Sequence, residues 1–355
     1  MKWTKIIIYN IVIAGTLFLL VDFLYTQINP LMAEHKVYHP NFSYTFKPSY
    51  NDISAPEGIT LCTDKNGFKT HCDNINRSSL SFDVAFIGDS FTQGVYLIYE
   101  DTFVGMYDLT HPNMRVANLG VEGYSPTRYL QKISYYLDKG LETDHVVVFV
   151  DYNDFRDEAL IGNKFYDFIW RNFTSIFYVK NQIHENTCRH ATQYLPECAY
   201  ASRSLYGYEK RLYKEEQHLY KEGQHLYKEE RQYFKSSGMI ERSLSKMEEL
   251  YKLLNKHGIK LSVAVYPWPK QLRYDSAKNF YVKTWEKFCE QKCFAFINTF
   301  PTFFHFKEKL GFEQTRNKYY KSGDFHFSRA ANKVIFEVLN KEFKVNEMKS
   351  PVTAK

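Results

Sequence analysis

Apolar runs of strand length alternate along most of the chain with segments whose apolar residues recur at helical spacing. The runs SFDVAFIG, MRVANLG, DHVVVFV, IKLSVAV and FAFIN are typical of short, largely buried strands. The segments TRYLQKISYYLDKGL, IERSLSKMEELYKLLNKHG, YVKTWEKFCEQKC and SRAANKVIFEVLNKEF are amphipathic, as surface helices are. This alternation predicts an α/β fold, a three-layer α/β/α sandwich around a doubly wound, mostly parallel sheet.

The N-terminal residues 1–25 have a different pattern. Lys2 and Lys5 precede IIIYNIVIAGTLFLLVDFLY, an apolar stretch long enough to cross a bilayer. Positive charge before the stretch favours an N-terminus inside the cell and a remainder outside it. A cleaved signal peptide is the alternative, but PLMAEH offers a poor cleavage site. We therefore expect a single-pass membrane anchor.

The remaining chain divides by composition and periodicity. Residues 26–80 are rich in proline, asparagine, serine and tyrosine and form a lead-in segment with short strands. The main domain is expected over residues 81–345, interrupted by an insertion at 181–238 and followed by a tail at 346–355. Within the insertion, residues 211–231 read RLYKEEQ HLYKEGQ HLYKEER, three near-identical heptads. A helical arm for self-association or partner binding and a tolerated surface insertion both fit this repeat.

Composition and charge narrow the class of protein. The 355 residues are 44% hydrophobic and 24% charged, which is ordinary for a globular protein. Aromatic residues reach 17%, enough for sugar-stacking surfaces, although core packing explains them equally well. The net charge of +6 is spread along the chain without a basic block or a nucleic-acid motif. We therefore expect no nucleic-acid partner.

Six cysteines fall into three local pairs, which are Cys62 with Cys72, Cys188 with Cys198, and Cys289 with Cys293. Such pairs suggest disulfides in an oxidising compartment such as the periplasm, although six cysteines allow fifteen pairings. The pair in the predicted helix is the least secure. Zinc is a weaker alternative because no CxxC or HxxxH accompanies these residues, and we expect neither a metal nor a cofactor.

Ser90 directly follows the first apolar strand, in FIGDSFTQG. A serine at that point can cap a helix, contact a phosphate or act as a nucleophile. A phosphate contact is disfavoured because the segment has no Walker-type lysine. The nucleophile reading needs a histidine base with an orienting acid, and SGDFHFSRAAN places Asp324 and His326 two residues apart before the last helix.

Two further loops offer donors for an oxyanion. Gly123 in NLGVEGYS allows close approach of a backbone N–H, and Asn153 follows the most apolar strand in VDYNDF. Each signal is weak alone, because asparagine at a strand end usually serves a turn. The carboxyl ends of parallel strands meet at one edge, so together these groups predict one site.

These four segments resemble the blocks of the SGNH hydrolases, also called GDSL-type esterases. GDSFTQG is similar to the first block, NLGVEG to the second, YND to the third and DFH to the last. The resemblance covers roughly residues 81–180 and 240–340 and implies a flavodoxin-like sandwich. It also implies that Ser90 is the nucleophile of a triad with His326 and Asp324, and that Ser90, Gly123 and Asn153 form the oxyanion hole.

The chain departs from this pattern in two blocks. Asp151 stands where the third block usually has glycine, and one residue rather than two separates the last aspartate from the histidine. Asp151 and Asp154 flank Asn153, so we expect at least one of them to turn away or to meet a cation such as Arg128 or Arg156. Asp89, Tyr266 and Trp268 are candidates for the substrate pocket, although Trp268 fits simple loop packing as well as a sugar platform.

The sequence thus predicts a membrane-anchored, periplasmic serine esterase or acyltransferase acting through an acyl-serine. Acetylated envelope glycans are the expected substrate by analogy alone. Two alternatives remain, a catalytically inactive glycan-binding or scaffold protein and a lipase or thioesterase for longer acyl chains.

Overall fold

The computed structural model describes residues 2–28, 35–52, 60–160, 172–173, 175 and 217–343. Nine strands lie in this part of the chain: β1 Lys36–His39, β2 Ser43–Phe46, β3 Asn51–Asp52, β4 Leu61–Cys62, β5 Ser81–Gly88, β6 Val116–Asn118, β7 Glu142–Phe149, β8 Lys260–Val265 and β9 Ala295–Asn298.

The α-helices of the same residues are α1 Lys2–Ile28, α2 Ser90–Gln93, α3 Phe103–Thr110, α4 Pro126–Asp138, α5 Asp154–Leu160, α6 Gln217–Ser236, α7 Met239–Lys256, α8 Pro269–Tyr274, α9 Phe280–Cys289, α10 Phe300–Leu310, α11 Phe312–Tyr319 and α12 Arg329–Glu342.

Five strands form one parallel sheet in the order β6-β5-β7-β8-β9. Its central strands are apolar on both faces and buried, as the continuous runs in the sequence predict. The chain steps outward from β5 to β6 and then returns to β7 on the other side. In doubly wound sheets the ligand crevice lies at this reversal, beyond the carboxyl ends of the strands. The predicted α/β class is confirmed.

Sequence periodicity located these five strands and four of the main helices to within a few residues. It did not reveal α3, α10 or α11, nor the short helices α2, α5 and α8. The reason is clearest for α10, FPTFFHFKEKL, whose clustered aromatics hide a helical spacing. Its proline lies in the first turn, where no backbone N–H partner is lost.

The lead-in segment packs as short strands, with β1 pairing β2 and β3 pairing β4. Phe42 and Phe46 are fully buried, so this segment contributes to the core rather than covering it loosely. The chain divides into two compact units, Met1–Lys36 with Leu160–Tyr233 and Val37–Ala159 with Phe234–Lys355. The sheet and the candidate site belong to the second unit.

Helix α1 contains the apolar stretch Lys5–Thr26, which is long enough to cross a membrane by length and composition. Disulfides join Cys62 to Cys72 and Cys289 to Cys293. Cys188 and Cys198 lie outside the described residues, as do the first six residues of the heptad segment, 211–216, and the predicted tail 346–355. The described heptad residues belong to α6, a helix as the seven-residue repeat predicts.

Candidate active site

Ser90 begins α2 at the carboxyl end of β5. The preceding Gly88 has no room for a side chain, since a Cβ there would lie 2.2 Å from Thr92 Oγ1 and 2.7 Å from Phe149 O. Asp89 caps the turn by accepting a 3.0 Å hydrogen bond from the Phe91 N–H. The predicted capping function therefore belongs to Asp89, which leaves the Ser90 hydroxyl available for other partners.

A loop between α11 and α12 carries His326 and Asp324. An antiparallel bridge between Tyr320 and Phe327 closes this loop, and the Lys321 N–H donates a 2.8 Å hydrogen bond to His326 O. The Phe327 ring packs 4.7 Å from the Phe91 ring, centroid to centroid. This aromatic contact holds the loop against the turn that carries Ser90.

The three side chains form a continuous hydrogen-bonded chain. His326 Nε2 lies 2.8 Å from Ser90 Oγ, and His326 Nδ1 lies 2.6 Å from Asp324 Oδ1. Burial opposes ionisation of Asp324, but the hydrogen bond and charge of His326 outweigh it and lower the pKa of that carboxyl. An ionised Asp324 fixes the imidazole with its proton on Nδ1, leaving Nε2 to accept from Ser90.

The expected oxyanion donors are the Ser90 N–H, the Gly123 N–H and the Asn153 amide. Among the described residues, neither the Ser90 N–H nor the Gly123 N–H has a hydrogen-bond acceptor. Gly123 has φ +73°, and a Cβ there would lie 2.6 Å from Tyr44 Oη. The Asn153 amide donates one 3.0 Å hydrogen bond to Asp157 Oδ2, which leaves its second N–H for another acceptor.

Two buried lysines brace the loops that carry these donors. Lys69 Nζ donates to Gly94 O at 2.9 Å and to Leu97 O at 2.7 Å, just after α2. Lys132 Nζ donates to Leu119 O at 2.9 Å, at the start of the Gly123 loop. Burial lowers the pKa of each lysine to about 7, so each can act as a neutral or charged clamp near neutral pH.

A group of buried carboxyls lies beneath the serine. The hydroxyl oxygen of Ser90 is 3.1 Å from Asp89 Oδ2, and Asp89 in turn contacts Asp151. Burial, then the charge of Asp89, raises the pKa of both Asp151 and Asp154 well above the ordinary value. Trp268 Nε1 donates to Asp151, and Tyr129 Oη lies 3.1 Å from Asp154.

The partners of these carboxyls are thus aromatic donors, whereas the sequence suggested arginines. Arg156 pairs with Asp157 at 2.8 Å, and Arg128 donates to Gln131 at 2.9 Å. An aromatic N–H or O–H satisfies a carboxyl oxygen without adding a positive charge. The carboxyls beneath Ser90 therefore keep their elevated pKa values.

The three residues suggested for a substrate pocket lie below the surface. Asp89, Tyr266 and Trp268 are at most 5% exposed, and Tyr266 Oη donates a 3.2 Å hydrogen bond to Asp89 Oδ1. The Trp268 ring stacks on Phe325 at 4.3 Å, so that face is already occupied. This placement differs from the sugar platform suggested by sequence and makes these residues a support for Ser90.

Sequence reasoning did not find Lys69, Lys132, Tyr129 or Gln93, although each holds part of the site. Gln93 lies inside the GDSFTQG segment, and its Oε1 accepts a 2.7 Å hydrogen bond from the Glu122 N–H. That position is a usable signal, because the same segment contains the candidate nucleophile Ser90. The lysines carried none, since their burial depends on contacts with distant segments.

Fold and site together define an α/β protein with a hydrogen-bonded serine–histidine–aspartate chain at the carboxyl edge of a parallel sheet. No protein-family model and no curated protein matches the sequence.

Several solved structures are similar in fold. A lipolytic protein of the G-D-S-L family from Veillonella parvula is 11% identical over 73% of this chain and 97% of its own, with a TM-score of 0.39. The esterase EstA from Pseudoalteromonas is 10% identical over 75% of this chain and 100% of its own, also with a TM-score of 0.39. The acetylxylan esterase Axe2 from Geobacillus stearothermophilus is 14% identical over 74% of this chain and 94% of its own, again with a TM-score of 0.39. Sequence identities and TM-scores this low indicate no function for this chain.

Proposed function

We propose that this chain is a serine ester hydrolase or acyltransferase of the SGNH type. The observation that carries the proposal is the hydrogen-bonded chain from Ser90 Oγ through His326 to Asp324, with distances of 2.8 and 2.6 Å. These are the distances at which a histidine can take the hydroxyl proton while an acid orients it.

In this mechanism Ser90 Oγ attacks the ester carbonyl carbon, and His326 Nε2 takes the hydroxyl proton. The oxyanion is stabilised by the Ser90 and Gly123 N–H groups and the free N–H of the Asn153 amide. When the C–O bond breaks, His326 returns the proton to the departing alkoxide. Water or a second alcohol then attacks the acyl-serine by the same route, which gives hydrolysis or transfer.

The substrate part of the proposal is an O-acyl, chiefly O-acetyl, group on an envelope polysaccharide. Support comes from the compartment, because an N-terminal apolar helix and disulfides suit a protein held at the outer face of a membrane. A short acyl group also suits a site whose neighbouring aromatic rings pack on one another, as Trp268 does on Phe325. A lipase or thioesterase with a longer acyl chain is the competing function.

The test is covalent labelling of the full chain in detergent with a fluorophosphonate, together with aryl ester hydrolysis. We expect wild type to label and Ser90→Ala to lose the label. Ser262→Ala is the matched control, because Ser262 Oγ also lies 2.9 Å from a histidine, His145, but inside the sheet. Absence of labelling in folded wild type would support the inactive scaffold instead.

A series of aryl esters from acetate to decanoate then separates the substrate classes. Highest kcat/KM for acetate supports the glycan esterase, and a maximum at long chains supports the lipase. Mass spectrometry of an acetylated oligosaccharide, with and without an acceptor glycan, distinguishes hydrolysis from transfer.

A further inference from the structure

Asp89 and Asp151 form a buried carboxyl pair directly beneath Ser90. Both side chains are fully buried and in contact with each other. Two ionised carboxylates in contact without water repel strongly, so a pair in this setting holds a shared proton. The hydrogen-bond donors around the two groups indicate which one carries it.

Asp89 accepts two hydrogen bonds at one of its oxygens. Its Oδ1 accepts from the Phe91 N–H at 3.0 Å and from Tyr266 Oη at 3.2 Å, and its Oδ2 lies 3.1 Å from Ser90 Oγ. Apart from the Ser90 hydroxyl, no described hydrogen-bond donor reaches Oδ2, so this oxygen can accept a hydrogen bond from Asp151.

Asp151 is asymmetric. Its Oδ1 accepts from the Tyr152 N–H at 2.6 Å and from Trp268 Nε1. Its Oδ2 is buried and receives no hydrogen bond from any described residue. A carboxylic acid has this pattern, with a carbonyl oxygen that accepts and a hydroxyl oxygen that donates, and the contacting Asp89 provides the acceptor.

The position of this proton matters because the Ser90 hydroxyl has one hydrogen and two acceptors. His326 Nε2 lies at 2.8 Å and Asp89 Oδ2 at 3.1 Å. If the hydrogen points to Asp89, the 2.8 Å contact with His326 requires a proton on Nε2, and that histidine is no longer a base. A hydrogen bond from a third group weakens Asp89 as an acceptor and favours the productive arrangement.

We propose that Asp151 carries a proton on Oδ2 and donates it in a hydrogen bond to Asp89, so that the pair holds one negative charge and does not compete with His326 for the Ser90 proton. Asp151 is therefore a positioning residue that acts through Asp89. The proposal rests on the proposed function of Ser90 as nucleophile, and it concerns the residue that replaces the usual third-block glycine.

The surroundings of the pair favour this protonation. Titratable and charged groups face the pair from β2, α4, α5, the segment after β8, α8 and α9. They are Tyr44, Tyr129, Asp154, Asp157 with its partner Arg156, Tyr266, Lys270 and Tyr281. Lys270 lies over the Trp268 ring, 4.9 Å from its centroid, and Arg156 is paired with Asp157. The carboxyls thus outnumber the cations around Asp151, which opposes a second negative charge.

The test compares four full-length proteins in detergent: wild type, Asp151→Asn, Trp268→Phe and the double variant Asp151→Leu with Trp268→Phe. An asparagine amide can donate to Asp89 while its oxygen keeps both acceptor contacts, so it reproduces the protonated acid. The double variant removes the donor without leaving the indole N–H unsatisfied, and Trp268→Phe alone is its matched control.

We expect Asp151→Asn to keep kcat within about threefold of wild type, and the double variant to lose roughly tenfold or more in kcat relative to Trp268→Phe, with KM little changed. Equal kcat in the double variant and its control would overturn the proposal. Circular dichroism and thermal unfolding establish that each variant is folded.

A second measurement does not depend on activity. The infrared difference spectrum between wild type and Asp151→Asn is expected to contain the carbonyl band of a protonated carboxylic acid at neutral pH. A carboxylate band in its place would refute the proposal even if the double variant fails to fold. Fluorophosphonate labelling of wild type reports on the proposed function separately, so the two failures can be told apart.

Discussion

Lys132 provides a direct test of how the Gly123 loop is held. Its side chain is fully buried, donates to Leu119 O at 2.9 Å, and lies near the Phe42, Phe68 and Tyr124 rings. Burial lowers its pKa from 10.5 to about 7. In Lys132→Met the chain length and packing remain, but the titration disappears.

The direction of the pH dependence follows from the protons that the unfolded and folded states bind. Between pH 7 and 10.5 the unfolded lysine holds a proton that the folded one has released, so the free energy of unfolding of wild type rises with pH. The lowered pKa of Lys132 reduces the free energy of unfolding by about 5 kcal/mol below pH 7, and this reduction vanishes by pH 10.5. Between pH 7.5 and 9.5 we therefore expect wild type to gain about 2.5 kcal/mol relative to Lys132→Met.

The assay is urea unfolding of the full chain in detergent, followed by tryptophan fluorescence, to which the buried Trp268 and Trp285 contribute, at several pH values in this window. Lys69 and the buried aspartates titrate in both proteins, so their contributions cancel in the difference. Lys252→Met is the matched control, because it makes the same substitution at a side chain that is 71% exposed. A difference between wild type and Lys132→Met that stays constant from pH 7.5 to 9.5 would refute the reasoning.

Three further predictions concern the site and its support. Asp324→Asn is expected to lower kcat about 10³–10⁴-fold in aryl acetate hydrolysis with little change in KM, because the imidazole loses the acceptor that orients it; a loss below tenfold would argue against the triad. Gly123→Ala should lower kcat about 10²-fold, since its Cβ meets Tyr44 Oη at 2.6 Å and its φ is +73°. The clash should also lower the unfolding midpoint of Gly123→Ala. Adding Tyr44→Phe removes the clash but not the unfavourable φ, so we expect the double variant to recover part of that midpoint. No recovery would mean that the clash with Tyr44 is not the cause. Replacing both cysteines by serine should cost about 3 kcal/mol for the 62–72 disulfide and about 2 kcal/mol for the 289–293 disulfide, because the first closes the longer loop; urea unfolding checks that order.

Local pattern predicted much of the fold because buried parallel strands and amphipathic helices have strong, short-range signatures. The run DHVVVFV became β7, and the segment around Met247 became α7. The candidate triad was also accessible, since a serine at a strand end and an aspartate and histidine two residues apart are recognisable chemistry. The short helices were not, because their formation depends on caps and contacts supplied by other segments.

What the sequence by itself determined was the order of the five sheet strands and of the four amphipathic helices between and after them, the apolar N-terminal stretch, and the residue types needed for nucleophilic catalysis. The tertiary structure alone decided which of those residues are buried together. Lys132 lies on an amphipathic helix whose pattern gives no sign of burial, yet β2 covers it, with Thr45 Oγ1 3.5 Å from its Nζ. Trp268 likewise donates a hydrogen bond to Asp151, a contact between distant segments that its local sequence does not indicate. Burial and charge interactions are set by segments far apart in the chain, and no local window contains them.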